Sequence, residues 1–188
     1  MKKYQRLAPW MFKTWVQWTV KFGKGYITED ENAVVLMRSP HNAKMTFWSM
    51  IRAGMLPTPF KLGLASFNRF YYRIVSTLDK KHAEIMGTTP HWYGWMIGVT
   101  DKCQHKGIGA TLMNHCFNIA DEAELPIYLE TSVEQNVSLY HHKEFRIVDT
   151  EEIAEGKFKL YFMIRQPKKH TKILQPHNAG QTLAYEKA

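Results

Sequence analysis

A short loop with two glycines is the segment of this sequence whose residue types are best suited to binding a ligand. Gly107 and Gly109 follow an apolar run, residues 92–99, and stand at the start of a helical pattern over residues 108–123. Glycines let the backbone turn tightly and bring its amides close to a ligand. A helix that begins there presents unpaired N–H groups and the positive end of its dipole. Together these features predict an anion site suited to a pyrophosphate.

Two familiar phosphate-binding loops do not match this segment. A P-loop needs Lys and then Ser or Thr after its second glycine, but Ala110 and Thr111 follow Gly109. The dinucleotide-binding fingerprint needs three glycines and an acidic residue about 20 positions further on, and only two glycines are present. Taken alone, these two glycines favour an ordinary tight turn between a strand and a helix.

Strands and helices alternate along the rest of the chain. Helical periodicity is found over residues 5–22, 43–53, 61–81, 108–123 and 136–143, and in the second of these Phe47, Met50 and Ile51 are expected to face inward. Strands are predicted for residues 26–28 and 33–37, which form a hairpin, and for residues 92–99, 127–131, 146–150 and 158–165. This order predicts a mixed α/β or α+β sheet rather than a sandwich or a helical bundle.

Composition and charge exclude several classes of protein. Of the 188 residues 45% are hydrophobic and 22% are charged, and no apolar run approaches the ~18 residues of a membrane span. Two cysteines, Cys103 and Cys116, are too few for a disulfide framework and favour a reduced, cytoplasmic compartment. The net charge of +8 arises at the two ends, with +6 in residues 1–25 and +3 in residues 166–188 against −1 in the residues between them, whereas nucleic-acid domains concentrate charge on one face. We therefore expect neither nucleic acid nor a membrane as a partner.

Metal ligands are not expected either. Four histidines between residues 105 and 142 have no Cys or acidic partners at metal-binding spacing. They are His105, His115, His141 and His142. We therefore predict a site without a metal ion.

An ordered set of segments resembles the GNAT superfamily of acyl-CoA N-acyltransferases. Gln104-His105-Lys106-Gly107-Ile108-Gly109 matches the Gln/Arg-x-x-Gly-x-Gly/Ala loop of that family. The other segments resemble, in order, its fourth strand, its fifth strand, its next helix and its sixth strand: residues 97–99, 127–131, 136–140 and 145–148. His91-Trp92-Tyr93 is similar to a bacterial branch of these enzymes. The resemblance covers residues 91–165 most strongly and extends from about residue 7.

The resemblance implies a GNAT-like mixed, largely antiparallel sheet with helices on both faces. The fourth and fifth strands of this fold splay apart, and acetyl-CoA lies between them. The first strand of the family is expected to be absent from this sequence, because the first predicted helix already resembles the family's second helix. Either the recorded start is late or this member is shortened. By resemblance, strand backbone pairs with the pantetheine arm and loop amides hold the pyrophosphate. The implied cofactor-binding residues are Ile97, Gly98, Val99, Gln104, His105, Lys106, Gly107, Ile108, Gly109, Ala110 and Asn136.

Tyr140 is the residue that the resemblance places near the thioester sulfur. A phenol, with a pKa of about 10, can protonate the departing thiolate. The backbone N–H of Val99 can stabilise the oxyanion that forms when an amine attacks the thioester carbonyl. Asn136 and Tyr140 are four residues apart and therefore share one helix face. The alternative for Tyr140 is a core tyrosine whose hydroxyl is satisfied by the protein.

The group that removes a proton from the attacking amine is left open by the sequence. The family often has Glu or His on its fourth strand, but Tyr93 and Trp95 stand there. Glu130, at the end of the fifth-strand segment, is the first candidate, with a merely hydrogen-bonding carboxylate as its alternative. His91 is the second candidate, and a chain of waters without a single base is the third. Cys116 is expected to pack rather than to react.

Two further expectations concern a turn and the end of the chain. Glu144 stands where the family commonly has a glycine, so the turn is either strained at positive φ or avoids it. Residues 1–166 are expected to form one domain. Residues 167–188, which are punctuated by Pro167, Pro176 and Gly180, are expected to be a poorly packed tail.

The expected function is that of an N-acetyltransferase. It would transfer an acetyl group from acetyl-CoA to an amine of a small molecule, a protein or a peptide in the cytoplasm. Acetyl-CoA and the amine are the expected partners, and a homodimer is left open. One alternative is a catalytically weak acyl-CoA-binding protein of the same fold. The other is a basic binding protein that uses its two ends.

Overall fold

A computed structural model describes residues 2–70, 74–153 and 158–168. The helices are α1 (Lys2–Phe22), α2 (Phe47–Arg52), α3 (Thr58–Leu62), α4 (Leu64–Phe70), α5 (Ser76–Met86), α6 (Ile108–Glu122) and α7 (Glu134–His142). The strands are β1 (Gly23–Ile27), β2 (Ala33–Arg38), β3 (Trp92–Val99), β4 (Ile127–Thr131), β5 (Arg146–Ile153) and β6 (Phe158–Arg165). None of the helices in these ranges is long and apolar enough to cross a bilayer. Residues 169–188 of the expected tail lie outside the described residues.

The six strands form one sheet in the order β1-β2-β3-β4-β6-β5. Neighbouring strands are antiparallel except β3 and β4, which run parallel. A parallel pair needs a long crossover connection, and α6 forms it. The prediction of a mixed, largely antiparallel sheet is therefore confirmed. Within the described residues no strand precedes β1.

Helices cover both faces of the sheet, as expected. On one face α6 buries four side chains against the middle strands: Leu112, Met113, Cys116 and Phe117. On the other face Met86 of α5 packs against Tyr93, Tyr128 and Phe162, and Trp18 of α1 contacts Trp95. Each fully buried side chain of this size contributes about 1.5–3 kcal/mol through its removal from water. These two apolar layers fix the sheet between α6 and the α1–α5 side.

The ladder between β3 and β4 is short, and this opens a gap in the sheet. Residues 92–94 of β3 pair with residues 127–129 of β4, and the pairing then stops. Beyond that point β4 continues to pair with β6, and β3 continues to pair with β2. The splay that the resemblance implied between these two strands is present, and Ile97–Val99 lies beyond the last pair.

A bulge in β3 changes which face its side chains occupy. Leu36 of β2 is opposite Met96, whereas Met37 is opposite Gly94, so Trp95 is an extra residue on β3. A bulge bends its strand and increases the local twist. Before the bulge Tyr93 packs on the α5 side, and after it Ile97 and Val99 pack on the α6 side.

A buried ion pair ties the end of α6 to β6. The guanidinium of Arg165 donates two hydrogen bonds, of 2.7 and 2.8 Å, to the two carboxylate oxygens of Asp121. Although burial alone would raise it, the pKa of Asp121 is lowered by the hydrogen bonds from Arg165 and from the backbone of Lys168. Removing one partner of such a pair leaves an uncompensated charge and typically costs about 3–5 kcal/mol.

The helical segments between β2 and β3 differ from their predictions. The predicted helix over residues 61–81 is not one continuous α-helix: α4 begins after Gly63, which has a φ of 84°, and α5 ends at Met86. The predicted helix over residues 43–53 is shortened, because the side chain of Thr46 accepts a hydrogen bond from the Ser49 backbone and caps α2 there. A side-chain cap of this kind fixes where a helix starts.

The predicted inward orientation of Phe47 is wrong. Its side chain is 62% exposed, and Ser49 is the buried residue of α2. The hydroxyl of Ser49 accepts a 2.9 Å hydrogen bond from the indole Nε1 of Trp18. Apolar spacing alone did not reveal this polar contact between α1 and α2.

The turn before β5 takes the strained form of the two that the sequence left open. Glu144 has a φ of 69°, in the left-handed region that glycine adopts most readily. Its carboxylate lies 3.0 Å from Nζ of Lys168. The residue therefore takes a backbone conformation that glycine adopts most readily, and it also contacts the segment after β6.

Candidate active site

A cavity of about 390 Å³ lies where β3 and β4 separate. This volume is in the range of small-molecule sites, roughly 300–1,000 Å³. Of the catalytic and cofactor-binding residues predicted from the sequence, four line it: Ile97, Glu130, Asn136 and Tyr140. Residues 98–99 and 104–110 do not line it. The short ladder therefore brings residues from β3, β4 and α7 to one place.

The open edge of β3 is one wall of this site. Ile97, Gly98 and Val99 pair with residues 33–35 of β2 on one side. On the other side they have no strand partner among the described residues, because β4 has diverged. Such an edge offers backbone N–H and C=O groups to an extended ligand.

The glycine loop brings the start of α6 against this edge. His105 and Gly107 have φ values of 59° and 80°, so two left-handed residues turn the chain into the helix. A Cβ on Gly109 would lie 3.3 Å from Cγ2 of Val99 and 3.7 Å from Cδ1 of Ile97. The absence of a side chain at Gly109 therefore lets the helix approach β3 closely.

Three amides at the start of α6 are available to an anion. The first hydrogen bond of the helix runs from the N–H of Thr111 to the carbonyl of Gly107, at 3.0 Å. The N–H groups of Ile108, Gly109 and Ala110 precede this bond and therefore have no partner within the helix. With the positive end of the dipole of α6, they fit the pyrophosphate site predicted from the sequence.

The side chain of Gln104 is used to shape the loop. Its Nε2 donates to the carbonyl of Val99 at 3.3 Å and to the carboxylate of Asp101 at 3.1 Å. It thereby ties the loop to the end of β3. His105 and Lys106 are exposed, so the loop presents a basic side chain to solvent beside the helix start.

Tyr140 and Asn136 project from α7 toward the same gap. Both line the cavity, which confirms that the spacing of four places them on one helix face. The ring of Tyr140 lies 5.6 Å from that of Phe145, and burial raises the pKa of its hydroxyl. Among the described residues no group forms a hydrogen bond with this hydroxyl. Tyr140 therefore keeps its proton at neutral pH and has a free donor at the cavity.

Glu130 lines the cavity from β4, and two phenols hold its carboxylate. The hydroxyl of Tyr93 donates to Oε2 and that of Tyr128 donates to Oε1. Burial raises the pKa of Glu130, although the two phenol hydrogen bonds and the charge of Arg38 act in the opposite direction. A carboxylate with a raised pKa is a stronger base than one in water.

A buried guanidinium lies behind this carboxylate. Arg38 is 8% exposed, and its guanidinium lies 4.5 Å from the ring centre of Tyr93 and 4.4 Å from that of Trp95. One nitrogen donates to the carbonyl of Ala43 at 3.3 Å. Stacking on aromatic faces stabilises a desolvated cation, and its charge favours the ionised form of Glu130.

His91, the second candidate base, lies elsewhere. Its Nδ1 lies 2.7 Å from the carbonyl of Thr89, and its Nε2 lies 2.7 Å from Nε2 of His82. Because a carbonyl can only accept, Nδ1 of His91 carries the proton, and His82 donates to Nε2 of the neutral ring. Both histidines are buried, and neither lines the cavity. The pair is a structural element of the α5 face.

Cys116 and the histidines give the site no further reactive group. Cys116 is buried against the cavity, and burial raises the pKa of its thiol to about 12, which leaves it un-ionised. In the part of the chain that the structure describes, no group of three or more His, Cys, Asp or Glu side chains is placed to hold a metal ion.

Sequence reasoning left open whether Trp92, Tyr93 and Trp95 line an amine pocket or belong to the core, and of these three Trp95 lines the cavity. It missed the contribution of α1. Phe12 and Trp15 of α1 line the cavity, although more than 75 positions separate them from β3. Tyr93 was dismissed as a base, yet it positions the candidate base. The one available signal was the spacing of Tyr128 and Glu130, because residues two apart on a strand share a face.

Comparison with known proteins agrees with these features. Residues 62–145 match the model of the Acetyltransferase (GNAT) family, which confirms the resemblance found in the sequence. The chain is also 28% identical over 178 residues to an uncharacterized N-acetyltransferase of Schizosaccharomyces pombe. That alignment covers 93% of this chain and 72% of the relative.

The similarity to solved structures covers a smaller part of each chain. One is a histone acetyltransferase HPA2 and related acetyltransferase from Corynebacterium glutamicum, with a TM-score of 0.42 and 16% identity over 77% of this chain and 64% of that one. Another is nourseothricin acetyltransferase, with a TM-score of 0.39 and 17% identity over 44% and 53% of the two chains. The aligned part therefore spans less than two thirds of either solved protein.

Proposed function

Because residues 62–145 match the GNAT acetyltransferase family, we propose that the protein is an N-acetyltransferase that uses acetyl-CoA to acetylate an amine. The single observation that carries the proposal is the gap between β3 and β4, which opens after the Gly94–Leu129 pair beside the free amides of α6. An open strand edge and a helix start in one gap suit an extended ligand with a pyrophosphate.

Acetyl-CoA would be held by three parts of the chain. The backbone of Ile97–Val99 would pair with the pantetheine arm, and the amides of residues 108–110 would bind the pyrophosphate. Asn136 would contact the arm from α7. When bound, acetyl-CoA supplies an activated acetyl group as a thioester, and the remaining chemistry is proton transfer and positioning by the protein.

Glu130 would act as the base. The amine nitrogen loses a proton to the carboxylate and forms a bond to the acetyl carbonyl carbon as the C–S bond breaks. The raised pKa of Glu130 supports this role, and Tyr93 and Tyr128 orient its oxygens. The departing sulfur takes a proton from Tyr140, whose hydroxyl has no protein partner within the described residues. The N–H of Val99 would stabilise negative charge on the acetyl oxygen.

One observation favours the second candidate function, a catalytically weak acyl-CoA-binding protein of the same fold. Both oxygens of Glu130 already accept a hydrogen bond from a phenol. A carboxylate that is satisfied in this way has less tendency to take a proton from a substrate. Both functions predict CoA binding, and only the first predicts turnover.

Two measurements separate these functions. Isothermal titration with CoA tests binding, and acetyl-CoA-dependent thiol release across a panel of primary amines tests transfer. An N-acetyltransferase gives binding and amine-dependent release above the rate of acetyl-CoA hydrolysis. Binding without release from any amine supports the weakly catalytic alternative. The absence of both contradicts the proposed use of the gap.

A further inference from the structure

The end of the cavity nearest α1 is built from three aromatic side chains and one carboxylate. Phe12 and Trp15 come from α1, Trp95 from the bulge in β3 and Glu130 from β4. These residues lie on the face of the sheet opposite to α6, whose start holds the free amides. The two sides of the gap therefore differ in chemistry.

The aromatic residues form a continuous wall. The rings of Phe12 and Trp15 meet edge to face with centres 5.3 Å apart, and those of Trp15 and Trp95 are 6.1 Å apart. Trp95 is fixed from behind by Trp18, at 5.6 Å, and by the guanidinium of Arg38, at 4.4 Å. A wall fixed in this way presents a rigid apolar surface at little entropic cost to binding.

Glu130 is the one Asp, Glu, Lys or Arg side chain among the described residues that line the cavity. The opposite charge that acts on it is that of Arg38, which stacks on the ring of Tyr93. An acceptor with several ammonium groups would need several carboxylates to replace its hydration. This end of the cavity offers one, with a buried cation close by.

We infer that the acceptor is a primary amine with a single basic nitrogen a few bonds from a bulky apolar, preferably aromatic, group. This inference rests on the proposed acetyl transfer. The nitrogen lies at Glu130, which takes its proton, and the apolar group packs against Phe12, Trp15 and Trp95. Two sources share this chemistry: a free arylalkylamine, and the N-terminus of a peptide whose first side chain is large and apolar.

The preference is tested with the full chain and acetyl-CoA by measuring initial rates of thiol release. The acceptors are phenethylamine, a peptide amide that begins with Phe, spermidine and Nα-acetyl-lysine amide. Burial of an aromatic group predicts a kcat/KM at least ~10-fold higher for one of the first two than for the last two. The faster of the first two identifies the source. Equal or higher kcat/KM for spermidine or the lysine derivative overturns the inference.

A substitution in the wall makes the test specific to this surface. Trp15→Ala is expected to raise the KM for the aromatic acceptor ~10-fold or more, because the apolar contact is lost, and to leave the KM for acetyl-CoA unchanged. Val20→Ala is the matched control, since Val20 lies on the same helix, is 76% exposed and does not line the cavity. If Trp15→Ala does not fold, Phe12→Ala at the exposed Phe12 provides the same comparison. An unchanged KM for the aromatic acceptor contradicts the wall's role.

A binding measurement distinguishes failure of this inference from failure of the proposed function. Tryptophan fluorescence is titrated with phenethylamine and with spermidine in the presence of CoA. Saturable binding of phenethylamine without turnover of any amine supports the inferred ligand class and contradicts catalysis. Turnover that favours spermidine supports catalysis and contradicts the ligand class. The absence of saturable binding by phenethylamine, together with the absence of turnover of both phenethylamine and the Phe peptide amide, also overturns the inference.

Discussion

The hydroxyl of Tyr128 donates a 2.8 Å hydrogen bond to Oε1 of Glu130, two residues further along β4. The spacing of two places both side chains on the face of the sheet opposite to α6. Tyr93 of the neighbouring strand donates to the second carboxylate oxygen. The parallel β3–β4 pair therefore positions the one Asp or Glu carboxylate among the described residues that line the cavity, and the proposed mechanism depends on its protonation state.

Replacing Glu130 removes the proposed base. Burial raises the pKa of this carboxyl, and a base acts in its deprotonated form. Wild-type kcat/KM is therefore expected to increase with pH through a pKa above the ordinary value of about 4.3. In Glu130→Gln, kcat/KM is expected to fall about 10²–10⁴-fold. The increase of kcat/KM with pH through this pKa is expected to vanish.

The melting temperature of Glu130→Gln is the control for this variant. A carboxyl whose pKa is higher in the folded than in the unfolded protein stabilises the fold when protonated, and this contribution is lost as pH increases through the folded pKa. At neutral pH Glu130→Gln should therefore not melt below the wild type. Near-normal turnover with an unchanged pH profile would exclude Glu130 as the base.

Tyr140→Phe removes one oxygen and keeps the ring against Phe145. Loss of a general acid is expected to lower kcat by ~10² or more, with little change in the KM for acetyl-CoA. A structural tyrosine would behave in the opposite way, with a lower melting temperature and near-normal kcat. Steady-state kinetics and thermal melting of the same preparation discriminate between these results.

Gly109 tests the pyrophosphate site. A Cβ there would lie 3.3 Å from a methyl group of Val99, so any side chain at this position crowds β3. The effect of an added negative charge must therefore be measured separately from the effect of added size. Gly109→Gln and Gly109→Glu have nearly the same size. We expect CoA to bind at least ~10-fold more weakly to the Glu variant, because its charge opposes the phosphates. Equal affinities in titration calorimetry would place the pyrophosphate elsewhere.

The His82–His91 pair predicts sensitivity of the fold to acid. Burial lowers the pKa of both rings, that of His82 to about 4, whereas an unfolded histidine titrates near 6.5. The unfolded chain therefore binds more protons between these values. Stability from the pair is complete above pH of about 6.5 and is lost as pH falls toward 4.

Denaturant unfolding as a function of pH measures this contribution. Wild-type free energy of unfolding should decline from pH 6.5 to 4, and His82→Leu with His91→Leu should flatten that decline. The ion pair of Asp121 and Arg165 titrates at lower pH, because the pKa of Asp121 is lowered. An identical slope in both proteins would show that the pair does not govern acid sensitivity.

The sequence predicted the strands around the site closely. Residues 92–99, 127–131 and 158–165 are strands with the predicted bounds, because β-branched and aromatic runs between turn residues carry a strong local signal. The start of α6 at Ile108 was predicted equally well, since Gly107 and the helical periodicity after it both indicate that the helix begins there. These are local features, and they include most of the proposed cofactor side.

The acceptor side could be predicted only in part, because the aromatic run of Trp92, Tyr93 and Trp95 was compatible with both an amine pocket and the core. The bulge at Trp95 changes the face on which β3 side chains lie, and no spacing rule reveals an extra residue in a strand. Phe12 and Trp15 reach the cavity only through the packing of α1 across the sheet. Tyr93 becomes a partner of Glu130 because β3 and β4 pair there, which is a long-range contact.

Hydrogen exchange of backbone amides, with and without CoA, tests the assignment of the β3–β4 gap most directly. Binding in the gap is predicted to slow exchange at Ile97, at Val99 and at Ile108–Ala110, because the N–H groups of these residues are not used by β2 or within α6 and would gain hydrogen-bond partners. Amides of β1, at the far edge of the sheet, serve as the internal reference. CoA that binds without slowing exchange at either segment, or that protects a different part of the chain, would contradict the assignment.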